Sequence, residues 1–204
     1  MIPATILVLY YSRSGATAEL ARFAARGVEA SGATASVRTV PPVSTVTEAT
    51  SDPIPASGPP YATLDDLRGC DGLLMGSPTR FANMAAPLKY FLDRTSELWL
   101  AGAMVDKPAG VFTSSSSPHG GQESTLLTMA LPLIHHGMIW VGVPYTNEAL
   151  FATRSGGSPY GATHLERDGA KDVSAEEAEI AAALGRRVGQ LASALRGARA
   201  RREP

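Results

Sequence analysis

Within one residue the chain changes character: the apolar run Ile6-Leu7-Val8-Leu9-Tyr10-Tyr11 stops at Ser12-Arg13-Ser14-Gly15-Ala16-Thr17, and a helical pattern begins. An apolar run without alternation asks for a strand buried on both faces, as in a parallel sheet between helical layers. The turn that follows is rich in hydroxyls and opens a helix, whose first N–H groups are unpaired and carry partial positive charge. That combination suits a phosphate. A hydrogen bond to a charged group contributes about 1.5–3 kcal/mol and the helix dipole about 0.3–1 kcal/mol, so the pointed donors of the turn outweigh the helix behind it. Neither Gly-x-x-x-x-Gly-Lys-Ser/Thr nor Gly-x-Gly-x-x-Gly follows this strand, which leaves a monophosphate without a metal as the fitting ligand.

The same alternation repeats along the chain. Leu20, Ala24 and Val28, with Ala21 and Phe23 on the same side, predict a first helix ended by Ser31-Gly32. A second strand is expected over 35–40, then a long loop over 41–61, rich in Pro, Ser, Thr and Gly. Thr63 and Asp66 cap a short helix, and 72–76 form a third strand emptying into Ser77-Pro78-Thr79-Arg80-Phe81-Ala82-Asn83. Leu88, Phe91, Leu92 and Thr95 mark a third helix with Asn83 as its cap, and Trp99 lies in the connection beyond. A fourth strand over 109–113 runs into Ser114-Ser115-Ser116-Ser117-Pro118-His119-Gly120-Gly121. Leu126 to Ile134 predict a fourth helix, kinked or split by Pro132 and closed by Gly137. A fifth strand over 138–143 and a second long, Gly-rich loop over 144–173 precede the last helix. A Ser174/Glu177 capping box starts that helix, and Ile180, Leu184, Val188, Leu191 and Leu195 form its stripe.

Five strands alternating with five helices give an α/β fold: a doubly wound five-stranded parallel sheet in three layers, α/β/α. With 204 residues, 44% of them apolar, one domain over 1–204 is expected. Ligands of such sheets sit outside the carboxyl ends of the strands, so the loops at Ser12, Ser77 and Ser114 are expected to meet.

Composition narrows the partners. A formal net charge of −1 supplies no field for nucleic acid or for a basic partner. The lone Cys70 allows no internal disulfide and reads as an inert buried thiol. The first apolar run is too short to span a membrane and has neither basic leader nor cleavage site, so a cytoplasmic protein is expected. The basic end over 197–204, with Arg196, Arg199, Arg201 and Arg202 around it, reads as a solvated, frayed helix terminus. Neither metal-ligand spacing nor a serine-hydrolase elbow is present.

The Ser12–Thr17 turn resembles the phosphate loop of flavodoxin-like proteins, which bind flavin mononucleotide (FMN). Tyr10-Tyr11-Ser12, Pro78-Thr79-Arg80-Phe81, Leu98-Trp99, Gly120-Gly121-Gln122-Glu123, His135-His136-Gly137-Met138 and Pro159-Tyr160-Gly161-Ala162 together resemble the WrbA-type NAD(P)H:quinone oxidoreductases. The motifs occur in the family's order over nearly the whole chain. The resemblance implies a flavodoxin-like fold, FMN as cofactor, NAD(P)H as electron donor, a quinone as substrate and a homotetramer. It assigns Ser12, Arg13, Ser14, Gly15, Ala16 and Thr17 to the flavin phosphate, and Pro78, Thr79, Arg80 and Phe81 to the isoalloxazine ring. Ser114, Ser115, Ser116, Ser117, Pro118, His119 and Gly120 would hold the polar edge of the ring, where donors stabilise reduced flavin. Trp99 and His135 would flank a flat substrate, with His135 reaching a quinone oxygen and the flavin pocket, while His136 is structural.

The chain departs from that pattern twice. Ser14 stands where the family usually has a bulky or aromatic residue linked to nicotinamide contact. The loop at Ser114 is about one residue longer, with Pro118-His119 in place of Gly and Thr. The implied mechanism is ping-pong: hydride passes from NAD(P)H to flavin, the nicotinamide leaves, and the quinone enters the same pocket to collect two electrons. Two alternatives stay open. An electron-carrying flavodoxin would normally show an acidic surface and aromatic rings around the flavin, and a binding module without turnover would not need Trp99 and His135.

Overall fold

The computed structural model describes residues 3–43, 54–166 and 172–199. Its elements run β1 (Thr5–Tyr10), α1 (Ala16–Ala30), β2 (Thr34–Thr39), α2 (Leu64–Gly69), β3 (Gly72–Pro78), α3 (Ala86–Asp93), α4 (Ser96–Leu100), β4 (Pro108–Ser115), α5 (Gln122–His135), β5 (Ile139–Trp140), α6 (Ala149–Ala152), β6 (Ala162–Leu165) and α7 (Ala175–Arg199). All strand pairs are parallel and the order is β2-β1-β3-β4-β5, with β6 also on β4.

β1 explains the sandwich. Ile6, Val8 and Tyr10 face the core beneath α1 and α7, while Leu7 and Leu9 face the core beneath α2, α3, α4 and α5. Each of the aliphatic residues is fully buried, and burying such a side chain contributes roughly 1.5–3 kcal/mol. The α1 and α7 layer packs backbone to backbone: a Cβ added at Gly27 would strike the main chain of Ala182, and one at Gly185 that of Ala24.

The last sheet position corrects the expected fifth strand. β5 has only two residues and pairs with the start of β4, Pro108 and Ala109. β6 pairs with its far half, from Phe112 to Ser115. Since β3 occupies the other edge of β4 over Ala109–Ser114, two short strands share one edge. β6 and α6 both fall inside the expected loop of 144–173. β4 itself continues through Ser114 and Ser115, which are buried strand residues.

Several local expectations also change. α3 begins at Ala86 with Pro87 in its first turn, and Asn83 does not cap it; Asn83 Oδ1 accepts from the Met84 N–H instead, at 2.8 Å. Trp99 lies within α4. α5 runs through Pro132 as one helix, because a proline in the last turn removes only one backbone bond. The capping boxes of α2 and α7 form as expected. Cys70 is buried and its thiol donates to the Leu67 carbonyl. Of the expected loop over 41–61, residues 44–53 lie outside the described residues, as do 200–204 of the basic end. Within the helix, Arg196 donates to the Pro3 carbonyl at 2.9 Å. Among the described residues no helix is long and apolar enough to cross a membrane.

Candidate active site

The chain leaves β1 for the sheet edge at β2, then returns to the other side of β1 at β3. This reversal is the switch point where doubly wound sheets leave a crevice at the strand ends. The crevice is present as a cleft of about 280 Å³ lined by Arg13, Ser14, Pro78, Thr79, Arg80, Ser114, Ser115, Ser116 and Glu166. Arg13 and Arg80 also line an adjoining, more apolar cleft of about 690 Å³ that includes Tyr11, Asn83, Met84 and Pro87.

The first loop leaves only part of its donor set open to a ligand. Gly15 has a left-handed φ of 104° and caps α1 without a side chain. The first helical amide to bond back is that of Glu19, to the Gly15 carbonyl at 3.0 Å, so those of Ala16, Thr17 and Ala18 have no acceptor within the helix. Ser12 Oγ accepts from the Gly15 N–H at 3.1 Å and retains its own O–H. Thr17 is buried and its hydroxyl is already engaged with Ser114 Oγ at 2.9 Å. Its side chain therefore locks the start of α1 to the end of β4, and only its backbone N–H is left for an anion. Ser14 Oγ donates to Glu166 Oε2 at 2.9 Å.

The second loop is a two-residue hairpin. Arg80 N–H donates to the Asn83 carbonyl (2.7 Å) and Asn83 N–H to the Arg80 carbonyl (3.1 Å). Phe81 and Ala82 both have positive φ, 52° and 64°. Such primed turns favour Asn and Gly, and a left-handed non-glycine residue costs roughly 1–3 kcal/mol. The turn holds the Phe81 ring fully exposed beside the cleft. Thr79 N–H donates to the Ser114 carbonyl at 2.9 Å, and Thr79 Oγ1 meets Thr125 Oγ1 at 2.7 Å.

A buried chain of hydrogen bonds supports the third loop. Gly157 N–H donates to Thr163 Oγ1 (2.6 Å), Thr163 Oγ1 to Gln122 Oε1 (2.7 Å), Gln122 Nε2 to Ser115 Oγ (2.8 Å) and Ser115 Oγ to the Ser117 carbonyl (2.8 Å). Ser115 thus holds the loop up, and Ser116 is the exposed hydroxyl in the cleft wall. Ser117, Pro118, His119 and Gly120 follow it but do not line the described clefts.

Trp99 and His135 stack on each other, ring centroids 5.6 Å apart. They stand at the other end of the sheet. α5 runs back along β4, so His135 ends beside Val105 and the start of β4, where Asp106 N–H donates to the Gly137 carbonyl at 3.0 Å. Ser115 closes the far end of β4, seven steps from Pro108, or roughly 23 Å at 3.3 Å per residue. One chain does not bring Trp99 and His135 to the strand-end loops. Burial, then the charge of His135, push His136 below its ordinary pKa, and His136 Nε2 meets Thr95 Oγ1 at 2.9 Å.

Sequence reasoning missed two acids. Glu166 carried no motif; it enters the cleft because β6 ends there and its N–H donates to the Ser115 carbonyl at 2.8 Å. Glu177 was legible only as a cap. Its buried carboxylate also accepts from the Gly156 N–H (2.8 Å), the Leu165 N–H (3.0 Å) and the His164 ring (2.8 Å). Burial raises the Glu177 pKa, but the bonds from His164, Leu165 and Ser174 and the His164 charge outweigh it and bring it to about 2. His164 Nε2 is buried without a hydrogen-bond partner among the described residues.

Residues 4–150 match the family model of the NADPH-dependent FMN reductases. The chain belongs to this family. Among curated relatives, a protein named NAD(P)H dehydrogenase (quinone) from Solidesulfovibrio magneticus is 40% identical over 202 residues, covering 94% of this chain and 98% of that protein. Among solved structures, the flavodoxin-like, WrbA-like protein of Agrobacterium tumefaciens matches with a TM-score of 0.66 at 24% identity, covering 93% of this chain and 97% of that one. A flavodoxin from the domain Archaea matches with a TM-score of 0.60 at 17% identity, covering 92% and 98%. These two structures bear on the fold, which is flavodoxin-like.

The donors of the first loop fit a phosphate, and the strand-end cleft beside them fits a flat polar group. The Glu166 carboxylate is the one component that opposes an anion there.

Proposed function

We propose that this FMN reductase family member is an FMN-dependent NAD(P)H:quinone oxidoreductase working by a ping-pong mechanism. The observation that carries the reading is the convergence of the Ser12 turn, Thr79-Arg80 and Ser114–Ser116 on one cleft at the β1/β3 switch point. The name of the Solidesulfovibrio relative supports the same substrates. Bound here, FMN would supply two-electron redox chemistry between NAD(P)H and the quinone. The chain supplies binding and electrostatics: Ser12 and the first amides of α1 hold the phosphate, Arg13 and Arg80 add positive charge, and Pro78 and Thr79 border the ring. Ser114 and Ser115 shape the wall from which backbone donors and Ser116 meet its polar edge, and Phe81 extends an aromatic face outward.

Trp99 and His135 enter the proposal as parts of a pocket shared between copies. Support comes from the apolar surface around them: Trp99 and Leu100 on α4, and Leu127, Leu131 and Ile134 on α5, are all exposed, and such a surface favours association. A homotetramer that sets this face of one copy against the strand-end loops of another would place the imidazole beside a quinone oxygen. The buried thiol of Cys70 suits the reducing cytoplasm.

The test is optical and kinetic. Purified protein should show flavin absorbance bleached by NADH without any protein partner, which an electron carrier would not do, and restored by benzoquinone. Steady-state lines at several quinone concentrations should run parallel; intersecting lines contradict the shared pocket. Replacing both Trp99 and His135 by alanine should lower quinone reduction by 10²-fold or more with flavin still bound, on the order of one positioned acid–base group. Unchanged turnover would remove both residues from the site.

A further inference from the structure

We infer that Glu166 is a built-in competitor for the phosphate seat, so that the flavin phosphate must displace its carboxylate from the Ser14 turn. The inference rests on the flavin reading above. Ser14 Oγ donates to Glu166 Oε2 at 2.9 Å, and both residues line the same cleft as Thr79 and Ser116. A serine hydroxyl has one proton to give; while Glu166 holds it, it is not available to a phosphate oxygen. The carboxylate has no proton to offer in return, and two anions on one turn repel each other.

The competitor is tethered. Glu166 N–H donates to the Ser115 carbonyl at 2.8 Å, so its backbone is fixed to the end of β4, and only the side chain has freedom to leave. Arg13 and Arg80, the other charged groups lining the cleft, attract both anions and so do not decide between them. The residue that discriminates is therefore the acid, and what it discriminates against is the phosphate rather than the ring. The chain should hold FMN less tightly than its donors allow and separate FMN from riboflavin less sharply.

The experiment titrates FMN and riboflavin into flavin-stripped full-length protein, read by quenching of flavin fluorescence, for wild type, E166Q and E166A. E166Q keeps an acceptor for Ser14 but loses the charge; E166A loses both. FMN affinity should rise about tenfold in E166Q and at least as much in E166A, while riboflavin affinity moves less than twofold. At FMN concentrations giving equal fractional saturation, inorganic phosphate should displace FMN from E166Q at about a tenth of the concentration that wild type needs. FMN affinity unchanged or weakened in both variants overturns the inference and leaves the flavin reading standing. An equal gain for riboflavin also overturns it, since the acid would then be blocking access sterically. No saturable binding of either flavin to any of the three proteins overturns both readings.

Discussion

Glu166 and Glu177 are eleven residues apart in sequence, one just past β6 and the other in the first turn of α7, yet they are opposite kinds of acid. Glu177 is 1% exposed and is met by three backbone amides and the His164 ring. Glu166 is half-buried in the cleft, where Ser14 donates to it. A carboxylate surrounded by fixed donors is a fastener, because burying it is tolerable only with those donors in place. One held through a side-chain hydroxyl at the surface can be exchanged for another anion. The sheet edge thus places a structural acid next to a replaceable one.

The contrast can be broken most directly by truncation. E177A should cost roughly 3 kcal/mol or more, since it takes the acceptor from three backbone amides and the His164 ring, and a buried group left unsatisfied costs about 1–3 kcal/mol. Urea unfolding of E177A beside E166A tests this; equal losses would erase the distinction. Acid comes next. Glu177 has its pKa depressed in the fold, from an ordinary 4.5 to about 2, so its contribution is complete above pH 4.5 and is lost as pH falls toward 2. At about 1.4 kcal/mol per pH unit the loss is roughly 3 kcal/mol, and unfolding free energies of E177Q over that window should lack this slope. Replacing His164 by glutamine should cost about 1–3 kcal/mol, since Glu177 keeps its backbone donors but loses the ring that meets it at 2.8 Å. The smallest effects belong to the exchangeable acid: S14A and E166A should each change thermal stability by about 0.5 kcal/mol or less.

The sequence made the scaffold of this site readable and left much of its chemistry hidden. β1, α1 and the two capping boxes were legible because burial on both faces and end chemistry are local. β6 was not: Ala162-Thr163-His164-Leu165 has no apolar run and is a strand only because the end of β4 offers it a ladder. With β6 went Glu166, whose position follows from that pairing, and the extra duties of Glu177. The Thr17 hydroxyl is expected among the ligand donors, whereas in the fold it is engaged with Ser114 Oγ; spacing cannot distinguish a donor kept for a ligand from one already used. Trp99 and His135 are expected to flank a flat substrate beside the strand-end loops; in the fold their rings stack on each other at the opposite end of the sheet, because motif order says nothing about which end of a sheet a motif occupies.

The length of β4 has a genetic consequence. If the pocket joins the strand-end loops of one copy to the Trp99–His135 face of another, no chain contains a whole site, and each chain contributes to two. A mixture of chains damaged only at Thr79-Arg80 with chains damaged only at Trp99 and His135 would contain some junctions where both halves are intact. Two inactive alleles would then complement each other when co-expressed, and dilution below the dissociation constant of the assembly would silence even the undamaged protein.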